Sequence, residues 1–430
     1  MTSTQLFFRR LLPVALALGT AWAARGQIGH EYGAAWAGSI GVIFLVAISG
    51  RKDWYYRLPA VAAMAAIAWG VSGIMSYGKV VGYGQAPDFV NTSYGLLMLM
   101  LIGGLYGFIG GGVTGLTLES TTERKANIPL LITEMVAGGF LFWGFLIYQL
   151  EWFMTPPRSE LWAACLGAAF ALGWYLYRNG YSYALRTAFF SALGAGFGFA
   201  FGNFLQRMGR GTGIDFNWWN VMEYSIGFFA GLGLAYGVFS KKDWPQTIVA
   251  NKASNTAGWI FLILLLPAIN LIEGMNTKSM IDTANHFHFT NTASFAFSWQ
   301  VTAWILSVVV MIALCIYFQM GLMIAITRNK IKFLAFVSLT WYILISNFIG
   351  ATWLVARFSS QHLYWVNLLA VIFMLSKNEN IESNEIEILS PAPPVRRLVL
   401  LWTFAILLVL TLSFIAVSAG NANPKAQLRF

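Results

Sequence analysis

Thirteen mainly apolar runs follow one another along the chain, at residues 11–25, 34–49, 58–75, 93–117, 128–150, 161–177, 187–205, 220–240, 257–273, 300–324, 333–355, 361–376 and 398–419. Short polar segments separate them. Runs of this kind, as helices, cross roughly 30 Å of hydrocarbon, and the pattern predicts an all-α polytopic membrane protein with about 13 transmembrane helices. The first run is short. Arg9-Arg10, an apolar core and Ala21-Trp22-Ala23 also resemble a cleavable signal peptide. Retention is favoured, because the same unit recurs inside the chain, where no cleavage can occur.

That unit is an internal repeat. Arg10 is followed sixteen residues later by Gly26 across an apolar run, and the spacing returns from Arg57 to Gly73 and from Arg186 to Gly202. The first two copies share a tryptophan twelve residues after the arginine, Trp22 and Trp69. Each copy leads through a polar loop into a second apolar run, so a two-helix hairpin has been reused in parallel orientation. The expected hairpins cover about 10–50, 57–118, 128–178 and 186–240. The 128–178 copy is degenerate: its Trp143-Gly144 echoes Trp69-Gly70, but the Arg-to-Gly spacing is missing.

Glycine stripes mark the faces of these helices. Gly103, Gly107, Gly111 and Gly115 succeed one another at four-residue steps, as do Gly194, Gly198 and Gly202, and Gly227, Gly231 and Ala235. In lipid there is little hydrophobic drive between helices, so close backbone approach at small residues has to supply association. Residues 1–245 therefore read as a glycine-rich hairpin bundle. Residues 246–376, bulkier and poorer in glycine, are expected to flank it and to carry an extracytoplasmic loop at 274–299. A linker at 377–397, with Glu379, Glu382, Glu385, Glu387, Pro391, Pro393 and Pro394, precedes a final helix and short tail at 398–430.

Composition excludes a soluble domain: 58% of the 430 residues are hydrophobic and 10% charged, with a mean hydropathy of +0.64. The net charge of +10 is mainly a topology signal. With the N-terminus in the cytoplasm, Arg9, Arg10, Arg51, Lys52, Arg57, Arg124, Lys125, Arg178, Arg186, Lys241, Lys242, Lys252, Arg328, Lys330, Lys332, Lys377, Arg396 and Arg397 fall inside, as the positive-inside bias requires, and the C-terminus lies outside. The basic residues are dispersed over short loops, so a nucleic-acid partner is not expected. Cys165 and Cys315 fall within apolar runs and read as packing residues.

Polar chemistry gathers where the repeats turn. The first loop reads Arg25-Gly26-Gln27-Ile28-Gly29-His30-Glu31, and the second contains Tyr77, Lys79, Asp88 and Asn91. The third contains Asn203, Gln206, Arg207, Arg210, Asp215, Asn220 and Glu223. Parallel repeats place all three on the extracytoplasmic face. The substrate-binding candidates are Arg25, His30, Glu31, Lys79, Asn203, Arg207, Arg210 and Glu223. Among them His30 and Glu31 form an acid–base or cation-binding pair, and the arginines attract an anionic or polar solute. His286 and His288, in the 274–299 loop, together with His30 and Glu31 offer a metal reading, set against interfacial histidines.

Within the apolar runs the ionisable groups are few. Glu134 lies two to three turns into its span, where a carboxyl needs a partner or a proton. It is a coupling candidate, with a structural hydrogen bond or snorkelling as the alternative. Asn270 and Glu273 follow Pro267 at a candidate helix break and are expected to share a face.

There is no phosphate-binding Gly-Lys-Ser/Thr loop and no His-Glu-x-x-His pair, so a nucleotide-driven pump or a zinc protease is not expected. No motif specifies a cofactor. The chain reads as a multi-pass protein of a bacterial cytoplasmic (inner) membrane, partnered by the bilayer and by a small polar or lipid-linked ligand. A secondary transporter or permease for a small polar or anionic solute is favoured. A membrane-embedded transferase or hydrolase acting at the outer leaflet is the alternative, and an assembly or scaffold protein the third.

Overall fold

A computed structural model describes residues 3–319, 326–354, 358–377 and 395–430. The linker residues Glu379, Glu382, Glu385, Glu387, Pro391, Pro393 and Pro394 lie outside them. Among the described residues the chain is helical and has no strands. Ten helices are long and apolar enough to cross a membrane: α1 (Thr4–Arg25), α2 (Glu31–Ser49), α4 (Phe89–Glu119), α5 (Ile128–Gln149), α7 (Ser182–Gly211), α8 (Trp218–Phe239), α9 (Lys252–Gly274), α10 (Thr292–Phe318), α11 (Arg328–Ile349) and α13 (Arg396–Ser418). The expected count of thirteen is thus larger than the ten that meet the criterion. The other three runs form α3 (Leu58–Ser72), α6 (Leu161–Arg178) and α12 (Ser360–Lys377), which are helical but outside that set. α3 has 15 residues, about 22 Å of helix, too short to span unaided.

Six helices close a ring: α1 packs on α2, α2 on α3, α3 on α4, α4 on α7, α7 on α8, and α8 back on α1. Glycine decides three of these seams. A Cβ at Gly107 would lie 2.1 Å from the Ser191 carbonyl oxygen of α7, and one at Gly115 would lie 2.6 Å from Ala184 Cα, so the α4 stripe faces α7. On α7, a Cβ at Gly194 or Gly202 would lie 2.2 Å from the Phe229 carbonyl oxygen or 2.8 Å from that of Met222. A Cβ at Gly227 of α8 would lie 2.4 Å from the Leu18 carbonyl oxygen of α1. A side chain at any of these positions would force backbones apart.

Glycine also admits a large ring. Trp69 of α3 is inserted between Gly38 of α2 and Gly110 of α4; a Cβ at either would approach its indole to 2.4 Å. Trp69 and Trp22, the tryptophans in equivalent positions, meet edge to face at 5.6 Å, and Trp22 meets Tyr106 in the same way at 5.6 Å. Phe199 of α7 completes this aromatic plug, 5.4 Å from Tyr106 and 5.2 Å from Tyr77.

The remaining helices surround the ring. α5 and α6 pair through Gly138 and Gly167, and α6 attaches to α4, leaving most of α5 uncovered. α9 packs on α3, α11 on α1 and α2, α12 on α1, and α13 on α4 and α7. The 274–299 region is not a plain loop, since it contains a helix, Thr277–His286, and α10 begins within it at Thr292. α9 is continuous, with a π-helical turn, Ile260–Leu265, just before Pro267. The wider turn accommodates the proline without a break.

At one end of the ring the segment after α8 ties the hairpins together. Arg51 donates to the carbonyls of Trp244 and Pro245 at 2.9 and 2.8 Å, and Asp53 accepts from the Thr247 amide at 3.0 Å. Arg57 donates to Thr247 Oγ1 at 2.6 Å. Glu119, at the end of α4, accepts from Arg124 and from the Ala184 amide, which ties the start of α7 to the same layer.

Candidate functional site

The opposite end of the ring collects the three loops. α1 ends at Arg25, whose side chain is 2% exposed. Its Nη1 donates to Tyr77 Oη at 2.6 Å and to both oxygens of Glu223 at 3.3 and 3.1 Å, while Tyr77 donates to Glu223 Oε1 at 2.7 Å. Arg25 therefore comes from the first loop, Tyr77 from the second and Glu223 from the start of α8. A buried guanidinium is tolerated here because a carboxylate and a phenol meet it at hydrogen-bond distance. Trp22 and Tyr77 also present ring faces to it, at 5.2 and 5.6 Å.

Arg25 Nη2 meets His30 Nδ1 at 3.1 Å. A guanidinium only donates, so Nδ1 must accept, and the imidazole is neutral with its proton on Nε2. Crowding by the surrounding protein, then the positive charges of Arg25 and Arg158, pull the His30 pKa down to about 4. The residue keeps more than a third of its surface open, so the contact with Arg25 is the firmer of these causes. Glu31 is exposed in the first turn of α2 and has no side-chain partner among the described residues. The two neighbours in sequence thus face different surroundings: His30 binds Arg25, and Glu31 stays apart.

The end of α1 is also the hub for the later helices. The Ala23 carbonyl accepts from Asn220 Nδ2 and from the Tyr364 hydroxyl, each at 3.1 Å. Ser346 donates to the Ala24 carbonyl at 3.2 Å, and Tyr342 to the Gly33 carbonyl at 2.9 Å. Side chains from α8, α11 and α12 thus add to the backbone bonds that close the last turn of α1.

A second polar cluster lies between the turn before α4 and the end of α7. Gln85 Nε2 donates to Gln206 Oε1 at 3.2 Å, Asn203 Nδ2 to the Val81 carbonyl at 3.3 Å, and Arg210 to Gln85 Oε1 at 3.3 Å. Arg207 is 1% exposed and donates through Nη1 to the Ala86 carbonyl at 2.8 Å and Thr92 Oγ1 at 3.2 Å. Among the described residues its Nε and Nη2 have no partner and no carboxylate faces it. The tail after α13 docks there, through Asn423 to the Gln85 carbonyl at 3.1 Å, with the Asn421 side chain against Gly211. Lys79 stands half-buried on the short helix Gly78–Tyr83, outside both clusters.

Of the substrate-binding candidates, Arg25, His30 and Glu223 come together, as do Asn203, Arg207 and Arg210. Tyr77, Gln85 and Gln206 complete the two clusters but were not among the candidates. They are neutral residues in the same loops, and their position there was the available signal. Among the described residues no three His, Cys, Asp or Glu side chains gather as a metal site, the set with His30, Glu31, His286 and His288 included. His286 instead lines a polar cavity of about 540 Å3 with Gln27, Asn276, Lys278 and Asp282, beside the turn between α1 and α2.

The coupling candidates are dispersed. Glu134 forms an ion pair with Arg178 at the end of α6, and both keep some exposure. Asn270 is fully buried and donates to the Leu266 carbonyl at 2.7 Å, whereas Glu273 is exposed, so the two do not act on one face. Compared with known protein families, curated proteins and solved structures, the chain matches none.

Proposed function

We propose that this multi-pass membrane protein is a permease for a small anionic solute, recognised at the end of the ring where the three loops meet. In this reading α1–α2, α3–α4 and α7–α8 are three parallel hairpin repeats about a common axis, with the N-terminus in the cytoplasm and the site on the extracytoplasmic side. The observation that carries it is Arg207. Arg25 is neutralised by Glu223 at 3.1 Å, but Arg207 is covered, keeps two donor nitrogens free and has no carboxylate partner. A buried cation in that state is stabilised by an anion that supplies the missing acceptors. The polar cavity beside Gln27 supports an approach from the same face, and the aromatic plug of Trp22, Trp69, Tyr106 and Phe199 supports a closed state between the two ends.

Proteoliposome uptake of phosphate, sulfate and small carboxylates tests this. Arg207→Met is expected to reduce uptake at least tenfold with little change in melting temperature, and Arg207→Lys to retain part of it. Uptake unchanged in Arg207→Met refutes the reading. A lipid-modifying enzyme is the second reading. It draws on an apolar groove of about 760 Å3 between α4, α6, α7 and α13, suited to an acyl chain, which includes Leu97, Phe108, Trp174 and Trp402. Turnover of a lipid-linked substrate without uptake would favour it.

A further inference from the structure

α3, with 15 residues, is the shortest member of the ring, and a cavity of about 400 Å3 lies along it, walled also by the end of α4 and the starts of α5 and α9. On the α3 side it is lined by Arg57, Ala60, Ala63, Met64 and Ile67. Their three- and four-residue steps keep to one helix face, and from Arg57 to Ile67 they cover about 15 Å. That is half of the roughly 30 Å hydrocarbon core, the depth of one leaflet.

The cavity is built into the packing. A Cβ at Gly258 of α9 would lie 2.5 Å from the Pro59 carbonyl oxygen, so α9 is held close against α3. Ala60, Ala63 and Ala257 then leave space that larger side chains would fill. Phe261 of α9 and Ile128 of α5 add apolar walls.

The two ends of the cavity differ in chemistry. Ile67, at the deep end, is 47% exposed and brings it to the outer surface of the bundle. At the other end stand Arg57 and the exposed Lys125, with no Asp or Glu among the lining residues. Arg57 donates to the Thr117 carbonyl at 2.8 Å and to Thr247 Oγ1 at 2.6 Å, both from Nη1. The guanidinium has further donors on Nε and Nη2. Asp53, which accepts from the Thr247 amide, is paired with Arg51. An apolar slot one leaflet deep with two cations at its shallow end is complementary to an acidic lipid.

We propose that this cavity holds an anionic phospholipid, with its phosphate at Arg57 and Lys125 and one acyl chain along α3 towards Ile67. The chain covers a helix too short to span unaided. The site lies at the end of the ring opposite Arg207 and apart from the groove between α4, α6, α7 and α13. It rests on the chain spanning a membrane and not on the transport reading, so neither loss nor survival of solute uptake bears on it.

The test uses the full chain, delipidated in detergent, with melting temperature followed against added phosphatidylglycerol, phosphatidylcholine or inorganic phosphate at constant ionic strength. Phosphatidylglycerol is expected to give a saturable rise with a midpoint about tenfold below that of phosphatidylcholine, and phosphate alone to give none. Lys125→Gln, at an exposed position that guards against a folding defect, is expected to weaken the phosphatidylglycerol midpoint by about fivefold, and Lys125→Arg to keep it. An unchanged midpoint in Lys125→Gln overturns the proposal. An equal loss in Lys52→Gln does so too, since Lys52 shares that end of the ring without lining the cavity. Equal stabilisation by the two lipids would mark a general lipid effect and a rise with phosphate alone a free-anion site; either result overturns it.

Discussion

α1 buries an arginine near each end, about 22 Å apart along the helix axis, and the protein treats them in opposite ways. Arg25 is enclosed by Glu223, Tyr77 and His30, all within hydrogen-bond distance. Arg10 is enclosed by Phe239, Tyr55 and a second arginine, with none of its nitrogens satisfied. Burial is similar, so burial alone does not tell the role of a charged side chain. The partners do: a compensated charge holds helices in place, and an uncompensated one leaves its donors unused.

The largest expected effect tests the compensated end. Glu223→Gln leaves the Arg25 guanidinium buried without its counter-charge, which should cost about 3–5 kcal/mol of stability. Arg25→Met on the same background should recover most of that loss. Denaturation in detergent measures both; if Glu223→Gln costs nothing, Arg25 is no better held than Arg10 and the contrast fails.

Packing between the ends comes next. Gly107→Leu places a side chain where a Cβ alone would lie 2.1 Å from the Ser191 carbonyl oxygen, at an expected cost of about 1–3 kcal/mol or more. A wild-type melting temperature would mean that α4 and α7 separate freely, and that the ring does not set the geometry of either end.

The smallest effect is a pH dependence. His30 has a folded pKa of about 4 against 6.5 for the ordinary imidazole. The unfolded chain therefore binds the extra proton between these values, and stability should rise with pH from about 4 to 6.5 and level off above. The openness of the ring to solvent keeps the slope shallow. Comparing melting temperatures of wild type and His30→Asn across this range isolates it. Identical pH profiles would mean that Arg25 does not hold the imidazole neutral.

Much of the scaffold was legible in the chain before any coordinate. Apolar runs located the helices, because a spanning segment must satisfy its backbone internally and cover itself with apolar side chains. Glycine steps located the seams, because only a missing Cβ allows the approach seen at Gly107 and Gly227. Loop position also singled out Arg25, Glu223, Asn203 and Arg207. Side chains close in sequence part in the fold: His30 meets Arg25 while Glu31 is exposed, and Asn270 is buried while Glu273 is exposed. A turn or a helix face sends adjacent side chains to different surroundings.

What the chain by itself determined, then, was local: which segments are helical and apolar, where small residues permit contact, and which loops carry charge. These follow from composition and periodicity within a few turns. Only the tertiary structure decided the pairing of charges, because Arg25 and Glu223 are 198 residues apart in sequence and meet only when the ring closes α8 onto α1. Among the described residues the same closure leaves nitrogens of Arg10 and Arg207 without a hydrogen-bond partner. Compensation of a buried charge depends on which distant group arrives at hydrogen-bond distance, and hydropathy, spacing and charge count carry no record of that distance.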